Sequence, residues 1–188
     1  MLYTTLASPV GELLLVGTAT DQAPGGLTLA SLSLPGQRGA AVPAPHWRRA
    51  AEPFVAVAGE IEEYFAGERR RFTLTLQTGG TGFQERVWRA LEAIPYGTTI
   101  SYGQLAARIG AGRGEVRAVG TAVGANPLLL VRPCHRVIGA DGMLRGFAAG
   151  LDRKEFLLRH EGALAPTLDL AGGATAASVP AGSAGEFG

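Results

Sequence analysis

The sequence predicts a small α/β domain of strands plus one helix, followed by a mainly α-helical domain that contains a helix-turn-helix. Three observations carry this. Short apolar runs bounded by Gly and Pro fill the first third of the chain. From residue 83 onward the apolar spacing changes to the helical period. Between them stands the polar, Gly-rich stretch TGGTG at residues 78–82, which reads as a linker. The expected division is residues 1–77, a linker at 78–82, a second domain at 83–163 and a disordered tail at 164–188.

Residues 2–7, 12–17 and 26–33 read as strands, separated by turn signals at Ser8, Pro9, Gly11 and near Asp21. Residues 35–45 are rich in Pro and Gly and read as a loop. Residues 46–66 read as helix, because Phe54, Val55, Val57, Ile61 and Tyr64 recur at helical spacing; Gly67 is the stop. Residues 71–76, RFTLTL, alternate as a half-buried strand. Phe83, Val87, Trp88, Leu91 and Ile94 mark one face of a helix that Pro95 ends. Ser101 followed by Gln104 is a capping box for a helix reaching about Ile109. Residues 110–114 form a turn, and residues 115–124 a second helix. Two short helices around a Gly-containing turn match the helix-turn-helix pattern, which many helical domains share. Residues 163–188 are small and Gly/Ala/Pro-rich and read as disordered.

Composition excludes several function classes. The chain has 188 residues and a single cysteine, so an intramolecular disulfide, a Cys-rich zinc finger and a CxxC redox pair are excluded. No run of roughly 18 apolar residues marks a membrane span, and the first residues lack a signal-peptide pattern, so a cytoplasmic protein is expected. Net charge is +1, but it is uneven. Residues 1–80 carry −1, residues 81–162 carry eleven basic and seven acidic side chains, a surplus of +4, and residues 163–188 carry −2. The surplus is compatible with nucleic acid and too small to prove it. Sixteen of the 17 basic residues are Arg; Lys154 is the exception.

The chemistry concentrates in residues 126–137, NPLLLVRPCHRV. A thiol is nucleophilic only as thiolate, and a free cysteine near pKa ~8.5 is mostly protonated at neutral pH. His135 is the candidate base for Cys134, with Glu161 a candidate to orient it. Adjacent side chains in extended backbone point apart, so this pair couples only through a bend or a bridging water. The alternative is a buried apolar thiol beside a structural histidine.

PCHRV preceded by Asn-Pro, together with TGFQERVWRALEAIPYGTTISYGQLA, RAVGTAVGANP and RKEFLLRHEG, resembles the O6-alkylguanine-DNA alkyltransferases, also called methylated-DNA–protein-cysteine methyltransferases. The resemblance is dense over residues 81–162 and looser over 1–76. It implies an RNase H-like first domain with an antiparallel sheet plus helix. It implies DNA repair by irreversible, once-only transfer of an alkyl group from O6-alkylguanine, and O4-alkylthymine as an open second substrate, to Cys134. His135 would take the thiol proton through water, Glu161 would orient His135, and Asn126 would hold the turn before the motif. Tyr102 would donate to the guanine ring. The target base must be flipped out of the duplex, at a cost of roughly a few kcal/mol.

Arg117 would fill the gap left in the stack. Ala118, Thr121, Ala122 and Gly124 would meet the DNA in the minor groove, and Ser101 and Arg136 would also bind DNA. Val137, Phe147, Ala148 and Ala149 would form the pocket, with the carbonyls of Cys134 and Val137 receiving the guanine amino group. No cofactor and no metal are implied. The implied partner is double-stranded DNA, with no membrane, a monomer in solution and cooperative binding on DNA left open. Arg132 stands where an apolar residue is usual and is expected to reach solvent or a carboxylate. Ala149 is expected to narrow the pocket. The turn at 112–114 is one residue longer than expected. The competing readings are a non-catalytic lesion-binding relative, a helix-turn-helix regulator and a thiol hydrolase. The second helix offers few polar side chains for base readout, and no hydrolase signature is present.

Overall fold

The computed structural model describes residues 1–164; the tail expected to be disordered lies outside them from residue 165 on. Three strands form the centre of the first layer: β1 (Leu2–Leu6), β2 (Leu13–Ala19) and β3 (Leu27–Ser33), joined antiparallel. Two short strands flank them in parallel, β4 (Arg48–Arg49) beside β1 and β5 (Thr75–Leu76) beside β3, giving the order β4-β1-β2-β3-β5. Leu13, Leu15, Leu29 and Leu32 turn inward against α1 (Val55–Phe65), which presents Val57, Ile61 and Tyr64. Burying each such side chain stabilises the fold by about 1.5–3 kcal/mol.

Two expectations for this layer need correction. The helix does not begin at residue 46. Pro53, which lacks an N–H, sits in a 3-10 turn at Glu52–Phe54, and α1 starts only after it. Upstream, Arg48 and Ala50 donate their amides to the carbonyls of Met1 and Tyr3, so that stretch is sheet edge instead. The strand expected at 71–76 pairs only over Thr75–Leu76, because Thr73 is drawn to Glu60 of α1, its amide 2.8 Å from Oε2.

The second half holds α2 (Gly82–Glu92), α3 (Tyr102–Arg108), α4 (Val116–Gly124) and α5 (Leu151–His160). A two-stranded parallel pair, β6 (Ile100–Ser101) with β7 (Val137–Ile138), joins the start of α3 to the end of the PCHRV motif. The capping box at Ser101 forms as expected: its hydroxyl accepts from Gln104 N at 3.1 Å. A second one, Thr81 with Gln84, starts α2. The extra residue before α4 is absorbed by a 3-10 turn at Arg113–Glu115, whose Glu115 carboxylate accepts from Gly112 N at 2.8 Å. Helix α4 therefore begins at Val116. Trp88 of α2 donates its indole N–H to Ala122 O at 2.8 Å, fixing the two helices together.

The two halves share one apolar core, and β3 reaches into the second half. Leu32 N donates to Pro127 O at 2.9 Å and Leu129 N to Leu32 O at 3.0 Å. The segment leading to the motif is thus hydrogen-bonded to the sheet. Among the described residues, no helix is long and apolar enough to cross a membrane.

Candidate active site and nucleic-acid face

Three devices shape the turn before Cys134. Asn126 is buried and clasps the turn from both ends, donating to Arg132 O at 2.8 Å and accepting from Leu128 N at 3.0 Å. Leu130 is held in the left-handed region, φ 67°, a conformation that costs a non-glycine residue about 1–2 kcal/mol. Pro133 then starts a single 3-10 turn over Cys134–Arg136. That turn supplies the bend that extended backbone would not.

Arg132 is buried in this turn and pairs with a carboxylate, as expected. Its Nε donates to Glu92 at 2.8 Å, one terminal nitrogen to Thr78 Oγ1 at 3.0 Å, and its guanidinium lies 5.4 Å from the Trp88 ring centre. A charge beside the motif is tolerated because α2 and the 78–82 stretch neutralise and solvate it.

Behind Cys134 lies a buried polar cluster centred on Glu161, the residue that ends α5. His135 Nε2 is 2.8 Å from Glu161 Oε1. Arg136 grips both carboxylate oxygens, Nε to Oε2 at 2.8 Å and a terminal nitrogen to Oε1 at 2.9 Å. Gly97 N reaches Oε2 at 3.2 Å. Gly97 adopts φ 73°, and a Cβ there would sit 2.9 Å from the Glu161 carbonyl, so no side chain fits. Burial pushes the Glu161 carboxyl up, but the hydrogen bonds and charges of His135 and Arg136 override it and hold it well below the usual carboxylate range.

An ionised Glu161 accepts only, so His135 Nε2 carries the hydrogen. In the neutral ring Nδ1 is then the basic nitrogen. Nδ1 is buried and has no hydrogen-bond partner among the described residues. Burial lowers the His135 pKa against the pull of Glu161, and burial raises the Cys134 thiol against the hydrogen bond of Asn126 and the charge of Lys154. At rest, thiol and imidazole are both neutral.

An open cleft of about 900 Å³ runs between α4 and the 145–148 loop. Tyr102, Arg117, Gly120, Thr121, Arg145, Phe147 and Ala148 line it. The Tyr102 hydroxyl lies 3.1 Å from both Arg145 O and Gly146 O, which share its one proton, and it is close enough to Cys134 for their charges to couple. Cys134 itself is only 3% exposed. The outer face of α4 presents Arg117, Ala118 and Thr121 to solvent, with Gly124 half-buried beside them. Ser101 is half-buried, with its oxygen committed to the helix cap.

Two expected placements are overturned. Arg136 does not face outward for DNA: it is buried, locked on Glu161, and donates to Ile94 O at 2.6 Å. Ala122 is buried against Trp88, because helical spacing turns it a third of a turn away from Thr121. Ala149 is buried, while its neighbours Phe147 and Ala148 line the cleft. Val137 is fully buried, and its carbonyl accepts from Lys154.

Lys154, Tyr64 and Arg38 are missing from the expected site. Lys154 is fully buried and donates to Val137 O at 2.6 Å and Arg145 O at 2.5 Å, tying the cleft wall to α5. Burial pulls its ammonium down to about 8, partly countered by Cys134. Its signal is compositional, since it is the one Lys among 17 basic residues. A compact ammonium fits between two carbonyls where a planar guanidinium would not. Tyr64 donates to Glu161 Oε1 at 2.8 Å from 97 residues away. In the sequence it is indistinguishable from any aromatic on a helix face. Arg38, from the loop after β3, lines the cleft.

The chain matches known proteins along nearly the whole of its described length. The family model described as "6-O-methylguanine DNA methyltransferase, DNA binding domain" matches residues 82–163, and the one described as its "ribonuclease-like domain" matches residues 1–78. The chain is 44% identical over 162 residues to a methylated-DNA–protein-cysteine methyltransferase of Methanosarcina acetivorans, covering 86% of this chain and 99% of that protein. It is 43% identical over 164 residues to the protein of that name in Mycobacterium bovis, covering 87% and 94%. Among solved structures, Mycobacterium tuberculosis OGT in complex with DNA superposes with a TM-score of 0.77 at 42% identity, covering 86% of this chain and 93% of that one.

Proposed function

The chain belongs to the 6-O-methylguanine DNA methyltransferase family, and from that membership we propose that it repairs DNA by direct reversal, moving the alkyl group from O6 of a guanine onto its own Cys134. One observation carries the assignment of the acceptor. The single thiol of the chain sits in a turn with a histidine whose Nε2 is fixed on an ionised carboxylate and whose Nδ1 is left as a base.

The reaction is a displacement at carbon. The Cys134 proton passes to His135 Nδ1 through water, the S–C bond forms as the C–O6 bond breaks, and the departing guanine takes up a proton. In this reading Tyr102, at the cleft wall, donates to the guanine ring once its hydroxyl leaves the Arg145 and Gly146 carbonyls. Because thiol and imidazole are both neutral at rest, the thiolate forms only as the alkyl carbon arrives. The thioether product is not hydrolysed, so each chain acts once. Nothing in this displacement requires a cofactor.

Duplex DNA is the partner in this reading. The exposed Arg117, Ala118 and Thr121 face supports it, small enough for close approach and carrying one long cation. Base flipping brings the lesion into the cleft, and Arg117 fills the space it leaves. We read the chain as two domains joined at 78–82, acting as a single copy, since every group of the relay comes from one chain. A cytoplasmic setting suits a thiol that must stay reduced.

The test is intact mass after mixing with a duplex carrying O6-methylguanine. One methylene is gained on the Cys134 peptide, with a one-to-one limit, and Cys134→Ser gains nothing. Unchanged mass with retained binding to the lesion would favour a non-catalytic lesion binder instead.

A further inference from the structure

We propose that Tyr64 is a positioning residue for the Cys134 reaction: its hydroxyl, delivered by the helix of the N-terminal layer, donates into the same Glu161 oxygen that holds His135 and so tunes how strongly His135 takes the thiol proton. This rests on the Cys134 and His135 reading above.

Glu161 Oε1 takes three donors: His135 Nε2 at 2.8 Å, the Tyr64 hydroxyl at 2.8 Å and an Arg136 nitrogen at 2.9 Å. Donors sharing one oxygen share its charge. Arg136 already neutralises the carboxylate, so the phenol is not needed for that. Its effect is to draw electron density away from the bond to His135.

The phenol is held for this one contact. Tyr64 is 1% exposed. Its ring is packed by Phe65, Phe72, Tyr96 and His160, with centroids 5.1 to 6.1 Å away. His160 Nε2 lies 2.8 Å from the Tyr64 carbonyl and fixes its backbone. Burial, then the charge of Glu161, raise the phenol far above its ordinary pKa, so it donates at every working pH.

The other charged or titratable groups around the relay come from each element packed on it. They are Cys134 and Arg136 in the motif turn, Lys154 and His160 on α5, Tyr96 after α2, and Arg70 before β5. All of these except Arg70 belong to the second half that carries the thiol. Tyr64 comes from the N-terminal layer and touches the relay carboxylate itself. Thiol activation therefore depends on that layer being docked.

The direction of the effect follows. Without the phenol, Glu161 Oε1 concentrates its charge on His135 and the imidazolium becomes easier to form. The His135 pKa rises, and the acid limb of the rate–pH profile moves up. The experiment is the single-turnover rate of methyl transfer from an O6-methylguanine duplex across pH, using the full chain. Tyr64→Phe keeps the ring. Its acid limb should move up by about half a unit, a loss of about threefold on that limb, while the high-pH plateau changes less.

Site-specific 3-fluorotyrosine at position 64 keeps the shape and donates more strongly. It should move the limb the opposite way, and it covers the case in which Tyr64→Phe does not fold. Val57→Ala loosens the same helix without touching the hydroxyl, and should lower the melting temperature with the limb in place. The proposal is overturned if the limb of Tyr64→Phe stays at its wild-type position. It is also overturned if Val57→Ala moves the limb as far, or if 3-fluorotyrosine does not reverse the direction. A wild-type chain that gains no methyl would instead overturn the Cys134 reading beneath it.

Discussion

Lys154 shows how much one side chain decides in this site. Its ammonium is fully buried and bonded to the carbonyls of Val137 and Arg145, one at the end of the motif and one in the cleft wall. Replacing it by Met keeps most of the apolar stem and leaves both carbonyls without that donor. An orphaned buried acceptor costs about 1–3 kcal/mol. Lys154→Met is therefore expected to lose about 2 kcal/mol in urea denaturation. Amides over residues 139–150 should also exchange faster, and transfer to Cys134 should slow with free base and duplex alike. Unchanged exchange in that loop would mean that α5 holds it by packing alone. At the same scale, the expectations for Arg132 and Arg136 have opposite outcomes. The pairing of Arg132 follows from the cost of an unpaired buried charge, which is visible from the sequence. The inward turn of Arg136 does not follow, because its partners Glu161 and Ile94 come from distant segments.

Helix α4 is the element on which the DNA reading depends. Its positions 117, 118 and 121 face out, while 119, 122 and 123 pack inward on the core. The outer face carries one long side chain. If Arg117 acts by filling the stack during flipping, Arg117→Ala should react normally with a free O6-alkylguanine base and lose at least about tenfold on duplex DNA. Equal losses on both substrates would assign Arg117 to the thiol site instead. The helical period of this segment is legible in the sequence, and so is the capping box that starts α3. The start of α4 is not: a 3-10 turn over Arg113–Glu115 takes up the extra residue, and short 3-10 turns carry no periodic signature. Likewise β4, β6 and β7 have two residues each, too few for alternation to be read, and β5 keeps only two of the six residues whose alternation predicted a strand.

For the whole molecule, the buried relay makes acid the vulnerable direction. His135 and Glu161 both have folded-state pKa values below their ordinary ones. The unfolded chain therefore takes up protons that the folded chain resists. Stability is full above the ordinary histidine value of 6.5, falls as pH drops through it, and falls again below 4.5 as unfolded Glu161 protonates. Between pH 7.5 and pH 5 the melting temperature should fall as His135 of the unfolded chain takes up its proton. His135→Asn should flatten that slope; an unchanged slope would place the acid sensitivity elsewhere. The relay also joins the two halves, since Tyr64 and Glu161 meet across them. Acid that loosens the cluster loosens the docking of the N-terminal layer with it.

The sequence alone determined what is local: the periodicities of the main helices and the three long strands, the caps, the single thiol, and the PCHRV motif with its flanking segments. These depend on neighbours within about one or two turns, and the chain displays them directly. Only the tertiary structure decided which donors surround Glu161, where Lys154 points, and which of the small residues on α4 face outward. Those outcomes depend on how β3, α1 and α5 pack around the motif turn. A buried charge takes its partners from whichever segments the core brings near, and sequence distance does not encode that.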